Sequence, residues 1–132
     1  MGDRGAQRHL SRERALEIFY EASIKGRSVA TVLNELTVRP DEYTVEVLTA
    51  AEAHQEEANS LISRYSIDWP LERIALVDRL VMTIAIGEML MDDGPPIAVV
   101  LDEAVELAKV YSTDGSASFV NGVLAACAAH LE

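Results

Sequence analysis

The chain has 132 residues, 49% of them hydrophobic and 25% charged, with a formal net charge of −11. That length holds one domain with its own core, the apolar content excludes a disordered chain, and the acidity argues against general nucleic-acid binding. The longest apolar run, around Leu80 to Ile86, is too short to span a bilayer, and no apolar segment follows the charged N-terminus as a secretory signal would require.

Every periodic segment reads as helix. Residues 1–9 read as a flexible basic arm, and residues 1–27 carry six basic side chains against four acids. The rest of the chain carries five against eighteen, so the body is acidic and the arm mildly basic. Ser11 is a candidate N-cap for a helix with Ala15, Ile18, Phe19 and Ala22 on one stripe, ended by Gly26. Ser28 caps a short helix through Leu36. Pro40 opens a long helix whose stripe runs from Val47 to Tyr65, with His54 on it as a core-edge residue. Pro70 begins a short turn that Trp69 staples to the core. Leu76 to Met91 is apolar nearly all round and reads as the central buried helix. Its charges, Asp78, Arg79 and Glu88, are expected at ends, edges or a partner surface. Pro95 and Pro96 start the next helix, with Asp102, Glu103 and Glu106 on a solvated face, and the last helix starts near Ser116. The expectation is an all-α, single-domain chain over 1–132.

Machinery for catalysis is missing from the pattern. The glycines form no phosphate loop, and no nucleophile elbow or Cys-His pairing is present. His9, His54 and His130 fall on different segments, and Cys127, the one cysteine, lies on an apolar stripe. No enzyme activity, metal site or cofactor is therefore expected, and the lone cysteine fits a reducing cytoplasm.

The stretch STDGSASFVNGVL carries an Asn-Gly pair, usually a turn signal. Yet Val120, Val123, Leu124, Cys127 and Leu131 continue a helical stripe through it. Phe119 falls about 90° from the centre of that stripe, at the helix mouth. It either flanks the core or presents its ring to a partner, and Asn121 is available to a base edge or phosphate.

DEAVELAKVYSTDGSASFVNGVL resembles the C-terminal signature of the NusB family of bacterial transcription antitermination factors. RERALEIFYE, WPLERIALVDRLVMTIAIGEM and PPIAVVLDEAVELAK agree with it, so the resemblance covers about residues 8–127. It implies about seven helices in two packed three-helix subdomains. It also implies pairing with NusE, a small-subunit ribosomal protein, and binding of the single-stranded RNA element boxA in ribosomal RNA transcripts, within an RNA polymerase antitermination complex. By position, the RNA side corresponds to Arg8, His9, Arg12 and Phe119, and the partner side to Tyr20, Glu72 and Asp78. The arm is thinner than in some members, with Arg8-His9-Leu10 replacing a run of arginines and Ser118 standing where a lysine occurs. Each lost phosphate contact lowers RNA affinity. A helical adaptor with little RNA binding, or a homodimer covering the RNA face, is compatible with that thin arm. The NusB-like domain of an rRNA cytosine methyltransferase would need a further cofactor-binding domain, which these 132 residues do not contain.

Overall fold

The computed structural model describes residues 2–67 and 69–131, and Met1 and Glu132 of the expected domain lie outside it. Seven α-helices follow in order: α1 (Gly2–Lys25), α2 (Val29–Glu35), α3 (Glu42–Ala53), α4 (Gln55–Tyr65), α5 (Leu76–Met89), α6 (Ile97–Tyr111) and α7 (Ser116–Leu131). One 3₁₀ turn, Leu71–Arg73, sits before α5. None of the described helices is long and apolar enough to cross a membrane.

Helix ends follow local chemistry. Gly26, at φ +65°, ends α1, and the Arg27 amide reaches back to the Ala22 carbonyl at 2.9 Å. The Ser28 hydroxyl accepts from the Thr31 amide at 3.1 Å and starts α2. Asp41, not Pro40, caps α3. Burial opposes charge on Asp41, but hydrogen bonds from Thr44 and Ser11 outweigh it and hold its carboxyl below the ordinary range.

Four expectations change. Residues 2–9 are not an arm ahead of the first helix but its opening turns. Ser11 lies inside α1, where its hydroxyl is 2.9 Å from the Gln7 carbonyl and donates to Asp41 Oδ2 at 2.7 Å. The tertiary partners of Arg8, His9 and Ser11 extend this helix past two glycines that disfavour it. The long helix from Pro40 is two helices: His54, with φ −107° and ψ 18°, breaks the ladder between α3 and α4. Trp69 does not staple its turn to the core, because its side chain is 51% exposed.

Helices α1 to α3 pack on one another, α5 to α7 form a second group, and α4 lies against α5 and α7. The α5 helix joins the halves, touching α1, α3, α4, α6 and α7, which is why it reads as apolar all round. Every residue from Leu80 to Glu88 is buried. A Cβ on Gly87 would lie 2.8 Å from the Ala51 amide nitrogen and 2.9 Å from its Cα, so the absent side chain lets α3 and α5 meet backbone to backbone. In α7, Val120, Val123, Leu124 and Cys127 are buried, while Asn121 and Gly122 face outward. The Asn-Gly pair makes no turn because the buried stripe outweighs the helix penalty of glycine, about 1 kcal/mol.

Candidate nucleic-acid and partner surfaces

The opening turns of α1 carry the first cluster. Arg12 is 3% exposed. Its Nε and one terminal nitrogen donate to the two Glu88 oxygens at 2.8 and 2.7 Å, and its other terminal nitrogen donates to Glu103 at 2.8 Å. Burial alone would lower the Arg12 pKa, but the Glu88 hydrogen bond and charge win and hold it above its ordinary value. The Tyr43 hydroxyl also donates to Glu88. Burial first, and then this bond, push the Tyr43 pKa up to about 12. Glu88 is thus fully engaged inside an apolar helix, as a buried charge must be.

This arrangement corrects three expectations. Arg12 is not free to hold an RNA backbone, since it is buried and its Nε and both terminal nitrogens are engaged with Glu88 and Glu103. Glu88 sits inside the fold rather than at an edge or partner surface. Glu103 belongs to the buried network rather than to a solvated acidic face.

Arg8 and His9 stand at the rim of the network. The Arg8 guanidinium stacks 4.3 Å from the centroid of the Tyr43 ring. His9 Nδ1 lies 3.2 Å from Glu103, and its Nε2 lies 3.6 Å from Glu13. Arg8 lines three open concavities, the two larger of about 840 and 700 Å³. Acids share these two, Glu42, Glu46 and Asp92 in the first and Asp102 and Glu103 in the second. The cationic path is therefore short, with Arg4 and Arg8 as its surface charges on α1.

A second cluster surrounds the N-termini of α5 and α7. Phe119 is half-buried, packed against the core on one side and lining a recess of about 490 Å³ on the other. Phe119 thus flanks the core and leaves one side toward the recess. Trp69, Arg73, Ile74, Asp78 and Ser116 share that recess. The Trp69 ring is fixed by its Nε1, which donates to the Arg73 carbonyl at 3.0 Å. Asn121 is exposed one turn along and does not line the recess. Sequence reasoning missed Trp69 and Arg73 here. The signal was available in the aromatic-proline pair beside a charged turn.

The expected partner residues do not line one recess. Tyr20 is 43% exposed and lines an apolar recess of about 290 Å³ with Leu16, Glu17, Val77 and Tyr111. Glu72 is exposed on the 3₁₀ turn and is not part of that recess. Asp78, expected on the partner surface, is only 6% exposed and accepts from the Ser116 hydroxyl at 2.9 Å. A charge reversal there would disrupt the core before it touched any partner.

The two clusters expected to face RNA lie at opposite ends of α5. Asp78 marks one end and Glu88 the other, about 15 Å apart along the helix axis. No concavity described above contains both Arg8 and Phe119.

The described residues form a helical body with a thin basic rim, an aromatic recess and an apolar recess. The model of the NusB family matches residues 9–129, and the chain belongs to that family. The transcription antitermination protein NusB of Streptomyces griseus is 40% identical over 129 residues, covering 91% of this chain and 90% of that one. The protein of the same name from Streptomyces coelicolor is 41% identical over 128 residues, with 90% of each covered. These relatives are transcription antitermination proteins. Among solved structures, NusB of T. maritima superposes with a TM-score of 0.81 at 29% identity, covering 92% of this chain and 90% of that one. A crystal structure of the antitermination factors NusB and NusE in complex with double-stranded RNA shares the fold, with a TM-score of 0.77 at 24% identity and coverage of 93% and 96%.

Proposed function

We propose that the chain acts in transcription antitermination by pairing with NusE and binding boxA-type single-stranded RNA of ribosomal RNA transcripts in the cytoplasm, as part of an RNA polymerase antitermination complex. The family match over residues 9–129 carries this reading. The fold shared with a NusB–NusE–RNA complex supports it. Physical features agree. Single strands are held by a cationic path and an aromatic platform, which Arg4, Arg8 and Phe119 supply. The acidic body, net −11, suits a basic ribosomal protein and speeds its encounter. The Tyr20 recess, apolar with an exposed ring, suits a protein contact.

The test is a calorimetric titration of the purified chain with NusE, followed by boxA-like RNA added to the pair and, separately, to the chain alone. The expected result is a pair whose affinity falls with salt, and RNA affinity higher for the pair than for the chain alone. Binding of NusE without RNA binding in either state would favour the helical adaptor instead.

A further inference from the structure

Tyr43 joins the buried charge network to the basic rim. The Arg8 guanidinium lies 4.3 Å from the centroid of its ring, a stacking distance. The ring is anchored from behind. Its hydroxyl donates to Glu88, and Glu88 is held in turn by two Arg12 nitrogens at 2.8 and 2.7 Å. Arg8 lines three open concavities, and Tyr43 lines two of them with it. A guanidinium that stacks through its face keeps the N–H donors of its edge for a phosphate. One that is free to swing is drawn to the acids sharing those concavities, Glu42, Glu46 and Asp102.

We propose that Tyr43 is a positioning residue for RNA binding, its ring holding Arg8 so that the guanidinium edge meets a phosphate of the bound strand. The inference rests on the RNA-binding function above and adds how one backbone contact is set up. The Tyr43 hydroxyl is spent on Glu88, so the ring acts through Arg8 rather than by touching RNA. Holding a long cationic side chain in place beforehand lowers the cost of ordering it on binding. That gain counts most where the cationic path is short, as it is here.

The test is a titration of boxA-like RNA, over a range of salt, against the NusE complex of Tyr43→Phe, Tyr43→Leu, Arg8→Ala and the Arg8→Ala, Tyr43→Leu double variant. Both Tyr43 variants lose the hydrogen bond to Glu88, but only Tyr43→Leu loses the ring face. Tyr43→Phe should bind as the unaltered chain does. Tyr43→Leu should bind about two- to fivefold more weakly, the scale of one exposed cation–π contact. With Arg8 already replaced by alanine, the leucine should cost nothing further. Arg8→Ala itself should lower the salt slope by about 0.7, one phosphate of a single strand. An unchanged slope removes Arg8 from the phosphates and overturns the proposal. So do equal affinities of Tyr43→Phe and Tyr43→Leu, or an undiminished leucine effect in the Arg8→Ala background. Tighter RNA binding by Tyr43→Leu overturns it as well, since the ring would then hold Arg8 away from RNA. Should Tyr43→Leu fail to fold, NMR of the unaltered complex decides. The ring current should shift the Arg8 side-chain signals upfield, and that shift should survive saturation with RNA; its loss overturns the proposal. An unaltered complex that binds no RNA sinks the RNA function itself, whereas the other adverse outcomes sink only this inference.

Discussion

Arg12 and Phe119 invite opposite mutational outcomes. Truncating Arg12 to alanine leaves Glu88 charged, buried and short of its donors. Arg12→Ala should therefore lose about 3–5 kcal/mol of stability, read from urea unfolding. A folded variant of unchanged stability but weaker RNA binding would restore Arg12 to the RNA surface. Phe119 is only half-buried, so Phe119→Ala should lose about 1–2 kcal/mol of stability, less than a full core truncation. Its RNA affinity, measured with NusE present, should drop by about 1–3 kcal/mol, the value of stacking one base. A stability loss near the full core value with unaltered RNA affinity would make Phe119 a core residue only.

At the scale of elements, two helical glycines behave differently because their surroundings do. Gly87 faces the α3 backbone, and a methyl group there would press on Ala51. Gly87→Ala should push α3 from α5 and destabilise the fold by about 1–3 kcal/mol. Gly122 has nothing within 4 Å of a built Cβ. Gly122→Ala should stabilise α7 by about 0.5–1 kcal/mol through helix propensity and a less free unfolded chain. Thermal unfolding of the two variants side by side checks both, and movement in the same direction would contradict this account of the α3–α5 contact. The stripe of α7 was readable from spacing alone. The break at His54 was not, because nothing in the local pattern around it departs from helix.

For the whole molecule, alkaline pH is the informative variable. Burial pushes the Cys127 thiol from its ordinary 9.0 up to about 11, and Tyr43 rises from 10.0 to about 12. Both groups hold their protons more tightly in the folded state than in the unfolded one. Their contribution is complete below about pH 9 and is lost as pH rises through the 9–12 window. The urea midpoint should fall across that window. Cys127→Ala should flatten its lower part and Tyr43→Phe its upper part. A midpoint that stays level from pH 8 to 12 would contradict the burial of both groups.

The all-α class, the buried α5, the capped start of α2 and the outward Asn121-Gly122 pair were all determined by sequence, because periodicity and capping act within a turn or two of chain. So was the family, whose motifs are contiguous. Only the tertiary structure decided the fate of the charges. Arg12 meets Glu88 across 76 residues and Glu103 across 91, and Ser116 reaches Asp78 across 38. A single sequence marks such residues as polar on an apolar background but does not say which helices will face each other. Once α5 was enclosed by five neighbours, its carboxylates faced other helices rather than water. Glu88 found an arginine and became structural, while Asp78 took its hydrogen bond from Ser116.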